Sequence, residues 1–232
     1  MLPLPPVVIS FGCATTDERE YRAYAAPTIE RLAEPDSLLM RRHDCDSIHE
    51  PYNDMLAEAA EHADLEAVVL LHQDVSIEDE LFLPKVRALL AASDEVAVIG
   101  SAGARNVTGL AWWEGSPRGR AESPLMVPGG NVDVYSRGNF EVDSVDGLLL
   151  ILSPWAVREL RFDRNLAGPL DGYDADICLQ ARARGRRVVV GDFRVHHYAP
   201  RDFLDHRRWV RAAVALRRKW VLDDCDSVPE RL

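Results

Sequence analysis

The chain reads as one α/β domain, a doubly wound and mostly parallel sheet flanked by helices. Three observations carry that expectation. Short apolar runs alternate with helix-period segments through the first half of the chain. Several of these runs, such as Val7-Val8-Ile9-Ser10-Phe11 and Ala67-Val68-Val69-Leu70-Leu71, are almost unbroken, as in strands covered on both faces. They stop abruptly at polar residues, and the carboxyl edge of an open α/β sheet is where such folds present their ligands.

Taken in order, Val7–Phe11 is a first strand after a proline-rich lead. Thr16–Leu32 has the stripe of one helix, with Tyr21, Tyr24, Ile29 and Leu32 on it and Pro27 as a kink. Ser37–Arg42 is a short strand. Tyr52–Ala63 is a helix with Met55, Leu56, Ala59, Ala60 and Ala63 on one face. Glu66–Leu71 is a buried strand. Ser76 then opens a helix, with Asp79 three residues on as in a capping box, and Pro84 either divides it from Lys85–Ala92 or starts a new turn. Glu95–Gly100 is a strand. Gly103–Asn139 is a long segment rich in Gly, Pro, Arg, Asn and Ser, and a loop of that length inside a compact domain is usually functional. Phe140–Val145 and Gly147–Leu152 are strand material around Asp146. Ser153-Pro154 caps and starts a short helix ending near Leu160. Asp176–Arg184 is a helix stopped by Gly185, and Arg187–Val190 is a last central strand. Residues 202–222 form a basic amphipathic helix, with Trp209, Ala213, Leu216 and Trp220 on one face and Arg207, Arg211 and Arg218 on another.

Bulk properties exclude several classes. The 232 residues carry a formal charge of −11, which argues against a generic nucleic-acid or anionic-membrane binder and leaves room only for a local basic patch. No apolar run approaches the roughly 18 residues a membrane helix needs. The opening Met1–Pro6 lacks the basic region of a signal peptide, so a cytoplasmic location is expected. Cys13, Cys45, Cys178 and Cys225 form no C-x-x-C pair, the usage of reduced thiols. The G-x-G-x-x-G dinucleotide pattern, the P-loop and the G-x-S-x-G elbow are all absent.

Four polar clusters fall at strand ends or helix starts: His72-Gln73-Asp74, Asp146-Gly147, Asp171-Gly172-Tyr173-Asp174-Ala175-Asp176, and His196-His197. Mg²⁺ and Mn²⁺ take oxygen ligands, sometimes an imidazole, and substrate phosphates. An Asp and a His from different strands suit that demand. Each cluster also has a plainer use. Asp74 could cap a helix, although Ser76 already supplies a cap. Asp174 or Asp176 could stabilise a helix N-terminus. Asp146-Gly147 could be a turn, and adjacent histidines are often surface or packing residues. Trp112 and Trp113 could pack a loop or stack on a sugar ring or base.

In order and spacing, these clusters resemble those of nucleotide-sugar glycosyltransferases with the GT-A fold, of the family-2 type. Closer still is a bacterial glycosyltransferase-like group that includes a domain associated with streptomycin biosynthesis. The residues that carry the resemblance are Tyr52-Asn53, Leu71-His72-Gln73-Asp74-Val75, Val145–Leu150, Phe162-Asp163, Gly172–Gly185 and Val195-His196-His197, spread over residues 7 to 200. The resemblance implies a GT-A domain over 1–200 with the helix and tail of 201–232 packed on it. It implies an enzyme that moves a sugar from a nucleotide-diphosphate donor to an acceptor hydroxyl, with inversion and a divalent cation (Mn²⁺ or Mg²⁺). By position, Asp174 is the catalytic base, while Asp74 with His197 or His196 holds the metal. Ser10, Phe11, Asp44, Asn53, His72, Gln73, Asp146 and Gly147 border the donor, and Trp112, Trp113, Tyr173 and Asp176 are acceptor or loop candidates. His72 stands where the D-x-D metal motif of the family has its first acid. Asp174 near a helix start is expected to have a lowered pKa.

The acceptor, whether saccharide, lipid-linked or small molecule, is not specified by these residues. The tryptophan face of the last helix could pack on the domain or on a second subunit, and its basic face could meet a phosphate-bearing or lipid-linked acceptor or balance an acidic body. Two rivals share the pattern. A non-catalytic nucleotide-sugar or partner binder would account for His72 in place of an acid. A nucleotidyltransferase would need a basic glycine-rich loop after the first strand, where Gly12–Asp17 has one glycine and no Lys or Arg.

Overall fold

The computed structural model describes residues 9–107, 109–110, 121–122, 125–126, 132–133, 138–166, 171–198 and 206–220. A seven-stranded sheet forms its centre. In chain order its strands are β1 (Ile9–Ala14), β2 (Leu39–Arg42), β3 (Ala67–Leu71), then, after the short β4 (Val75–Ile77), β5 (Val96–Gly100). The small strands β6 (Ala102–Ala104), β7 (Ala121–Glu122), β8 (Leu125–Met126) and β9 (Val132–Asp133) follow. Next come β10 (Phe140–Val142), β11 (Ser144–Val145), β12 (Leu149–Leu152), β13 (Arg187–Val190) and β14 (Val195–His197). The large sheet has the order β10-β13-β5-β12-β3-β1-β2. β1 runs parallel to β2 and β3, and β13 runs parallel to β5. β12 is antiparallel to both its neighbours, and β10 is antiparallel to β13, so five of the seven strands point one way. This is the mixed, mostly parallel sheet of a GT-A domain. β3, β5 and β12 are buried along their whole length, which is why their sequences are unbroken apolar runs.

The described residues also form seven helices: α1 (Glu18–Ala23), α2 (Ala25–Leu32), α3 (His49–Ala60), α4 (Phe82–Ala92), α5 (Pro154–Glu159), α6 (Tyr173–Ala183) and α7 (His206–Trp220). The sheet separates two cores. One joins Tyr52, Met55 and Leu56 of α3 to Leu70, Leu150, Phe162 and Tyr173. The other joins Phe11, Ile29, Val69, Phe82 and Ile99.

Several local expectations are corrected. The segment 16–32 is two helices, broken at Tyr24, and Pro27 sits in the first turn of α2, where no backbone donor is lost. By the same rule α3 starts at His49 with Pro51 in its first turn, and Pro84 lies in the first turn of α4, so of its two readings the start of a new turn is the one that holds. Ser76 caps no helix. It is the middle residue of β4, which pairs antiparallel with β14 so that Val75 faces His197 across the ladder. The alternation Val75-Ser76-Ile77 is a strand signal that the nearby acid obscures. The expected strand 140–145 splits at Asp143. β10 joins the large sheet, and β11 pairs with β6 in a separate three-stranded sheet. α6 starts three residues early because Gly172, at φ 81°, turns the chain into the helix in a conformation that favours glycine.

Other signals hold. Ser153 Oγ accepts from Ala156 N with Pro154 at the first helical position, and Gly185 follows α6 at φ 72°. Val7 and Val8, and Trp112 and Trp113, lie outside the described residues.

Candidate active site at the carboxyl edge of the sheet

Three elements bring their side chains to the end of β3. β3 itself ends at Leu71, so His72 and Asp74 leave from the turn that follows, closed by Val75 N donating to His72 O (3.3 Å). The β4–β14 ladder supplies His197. His72, Asp74 and His197 each offer a ligand atom, and these atoms lie within 4.8 Å of one another. His197 Nε2 is 3.4 Å from Asp74 Oδ2. Burial works to raise the Asp74 pKa, but the His197 hydrogen bond and the two imidazoles outweigh it, and the carboxyl ends below its ordinary value. Burial works to lower the His197 pKa, and Asp74 reverses this so that it is raised. His72 is lowered, chiefly by burial. Two imidazoles and one carboxylate around a shared point suit a first-row divalent ion.

His72 therefore stands with Asp74 and His197 in one group of potential ligand atoms. An imidazole replaces the first acid of the D-x-D motif without loss of a ligand atom, and the H-x-D spacing at a strand end was the available signal. His196 does not join. Alternate residues of a strand face opposite ways, so His196 leaves β14 on the other side from His197. It stacks on Tyr198 at 3.8 Å, with Nδ1 3.7 Å from Glu78 Oε1.

Tyr173 is buried, and its hydroxyl lies 2.6 Å from His72 Nε2, so it orients the imidazole. Burial pushes its own pKa well up, which keeps it a neutral phenol. Gly147 is glycine for the same reason, because a Cβ there would lie 2.0 Å from the Tyr173 hydroxyl oxygen.

Asp174, the next residue, is half-buried. Its Oδ2 accepts from Gly147 N (3.0 Å) and its Oδ1 from Ala175 N (2.8 Å). Those bonds and the helix terminus favour the anion. Burial, followed by the nearby charge of Asp146, outweighs them and raises the pKa to about 7. The lowered pKa expected from the helix start is thus reversed, because desolvation of a carboxylate exceeds a helix-end effect of about 1 kcal/mol. Asp146 holds its own turn, accepting from Leu148 N (2.9 Å), and acts electrostatically on His72, His197 and Asp174.

Other expected contacts have structural work. Ser10 and Phe11 are fully buried within β1, Phe11 in a hydrophobic core. Asn53 clamps the backbone of Phe162 in both directions at 2.8 Å. Gln73 accepts from Thr16 N (2.8 Å) and Asp17 N (2.9 Å), tying the loop after β1 to the site. Asp44, at φ 53°, is exposed in a 360 Å³ recess beyond β2 with Asp46 and Glu50.

Asp176 is fully buried. Its carboxylate receives Lys219 Nζ (2.7 Å), Trp220 Nε1 (2.8 Å) and Gln180 Nε2 (2.8 Å), so it anchors the end of α7. Asp176→Ala is expected to cost on the order of 3 kcal/mol in a denaturant titration, with faster proteolysis within α7. An unchanged midpoint would remove the anchoring role. A larger recess of 730 Å³ lies beside this anchor, lined by Asn53, Arg161, Arg184 and Lys219 among others, and His72, Asp74, His197 and Asp174 are not among its lining residues.

The family described as "Glycosyltransferase like family" matches residues 12–222, nearly the whole chain. The chain belongs to this glycosyltransferase-like family. It is therefore a glycosyltransferase, and the reading as a non-catalytic binder falls away. Among curated proteins, this glycosyltransferase is 26% identical over 204 residues to the streptomycin biosynthesis protein StrF of Streptomyces griseus, covering 87% of this chain and 71% of StrF. Among solved structures, it resembles GalNAc-T7 with UDP, GalNAc and Mn²⁺ (TM-score 0.59, 9% identity, 92% of this chain), spanning 48% of that chain. It also resembles A197 from STIV (TM-score 0.52, 13% identity, 84% of this chain and 86% of that one). At these identities the two structures speak for the fold alone.

Proposed function

We propose that this glycosyltransferase moves a sugar from a nucleotide-diphosphate donor to an acceptor hydroxyl with inversion at the anomeric carbon. Asp174 is the base, and a Mn²⁺ or Mg²⁺ is held by Asp74, His197 and His72. The observation that carries this reading is the convergence of those three ligand atoms at the sheet edge that also bears Asp174. The UDP and Mn²⁺ of the GalNAc-T7 structure support the choice of donor and ion. Asp174 takes the acceptor proton as the acceptor oxygen bonds to the anomeric carbon. The bond from that carbon to the diphosphate oxygen breaks, and the nucleoside diphosphate leaves. The bound cation supplies charge neutralisation at the diphosphate. A pKa near 7 suits a base working near neutral pH.

On this reading Asp44 and the recess beyond β2 border the nucleoside, and Asp146 and Gly147 border the donor sugar. Cys13, Cys45 and Cys178 are free thiols, which fits work in the reducing cytoplasm. A panel of nucleotide sugars, followed by thermal shift with and without Mn²⁺, is expected to single out a donor. A ligand that binds only the folded state at 100 times its dissociation constant adds about 2.7 kcal/mol. A flat response to every nucleotide sugar with Mn²⁺ present, and no donor turnover, would defeat the reading.

A further inference from the structure

α7 has two faces with different histories. Its inner face is accounted for. Ala212 and Leu216 are buried against Leu110, Leu166 and Ala175, with Trp209 and Trp220 packed beside them. Asp176 grips Lys219 and Trp220, and Asp171 pairs with Arg208. These ties fix which side looks outward. That outer side is a stripe of Arg207, Val210, Arg211, Val214, Arg217 and Arg218, all exposed. At 3.6 residues per turn the six fall within an arc of about 120°. The helix carries six cations and no acid, in a chain whose net charge is −11. Val210 (53% exposed) and Val214 (43%), one turn apart, are two of only five large hydrophobics exposed among the described residues.

We propose that this outer face of α7 docks the enzyme on an anionic phospholipid surface. Arg211 and Arg218 are placed to meet headgroup phosphates, each worth about a fivefold gain near a charged membrane. The valines lie beside them, where an interfacial helix puts its apolar residues into the headgroup boundary. The paired features decide among polyanions. A nucleic-acid backbone rewards the arginines but not the valines. A second copy meeting the same face about a twofold axis would set arginine against arginine. Among the described residues no helix is long and apolar enough to cross a membrane, so the contact proposed is peripheral. It stands apart from the donor chemistry, since it involves no residue of the site.

The test is co-sedimentation of the full chain with sucrose-loaded vesicles of phosphatidylcholine alone or mixed with phosphatidylglycerol. Binding is expected only to the mixed vesicles and should weaken with added salt. Arg211→Glu/Arg218→Glu is expected to lower the partition at least about tenfold. Val210→Ser/Val214→Ser should lower it about threefold or more without changing the charge. Both pairs are exposed, and an unchanged melting temperature confirms that the fold is intact. Failure to bind mixed vesicles, or equal binding to both kinds, overturns the proposal. So does binding to duplex DNA in place of vesicles, or a solution dimer that the charge reversal dissolves. None of these readouts uses turnover, so they stand or fall separately from the donor assignment.

Discussion

Asp174→Asn is expected to lower sugar transfer on the order of 10²–10⁴-fold, the usual worth of a positioned general base. The two carboxylate oxygens accept separately, Oδ2 from Gly147 N and Oδ1 from Ala175 N, and asparagine keeps an oxygen for one of them, so an intact melting transition is the control that assigns the loss to proton transfer. The pH dependence sharpens the expectation. With the folded pKa raised from 3.8 to about 7, transfer should climb through about pH 7 and level off above it. Stability should move the other way. Between those two values the folded chain holds a proton that the unfolded chain has released, so stability is lost as pH rises from about 4 to about 7. From about pH 4 to about pH 8 the stability difference should therefore shift in favour of Asp174→Asn, by a few kcal/mol at most, because the variant has no proton to lose. Rate profiles and melting curves of both proteins across this range check the two halves. Full activity in the variant would end the base assignment.

Asp74→Ala is expected to weaken Mn²⁺ binding by about 100-fold or more, exceeding the 10–100-fold that loss of a mere supporting partner costs. Transfer should fall with it, and His197→Ala should behave alike. His196→Ala should leave the ion's affinity unchanged, because that ring stacks on Tyr198 away from the cluster. Isothermal titration with MnCl₂ reads the affinity directly, without a substrate. A second readout comes from the His197 imidazole. Its pKa is raised because Asp74 overrides burial, so in metal-free Asp74→Ala it should drop, and proton NMR of the ring would follow it. An unaltered Mn²⁺ isotherm in Asp74→Ala would sink the metal site.

Strands were read correctly where burial on both faces left a continuous apolar run, as in β3, β5 and β12, since such runs have few alternative uses. Prolines misled in proportion to their position. Pro27, Pro51 and Pro84 all sit in first helical turns, where the missing donor costs nothing, and in sequence Pro27 looks like a kink and Pro84 equally like a divider or a start. Short strands were hidden by their neighbours. β4 is three residues long, and Ser76 beside Asp74 and Asp79 looks more like a helix cap than like the centre of a ladder.

The site divides along the same line. The order of the polar clusters, and with it the glycosyltransferase resemblance and the positions of Asp74 and Asp174, stood in the chain because strand ends are marked by an abrupt change from apolar to polar residues. Which side chains meet did not. That His197 and not His196 faces Asp74 depends on the β4–β14 register, a long-range pairing with no local trace. That Asp176 grips Lys219 and Trp220 depends on where α7 docks. The pKa of Asp174 turned on desolvation and on Asp146, both products of packing, and these reversed the sign that the helix terminus alone would give. Local composition marks where charge and strand ends lie, but register, docking and burial couple residues tens of positions apart, so partners and proton affinities exist only once the chain has folded.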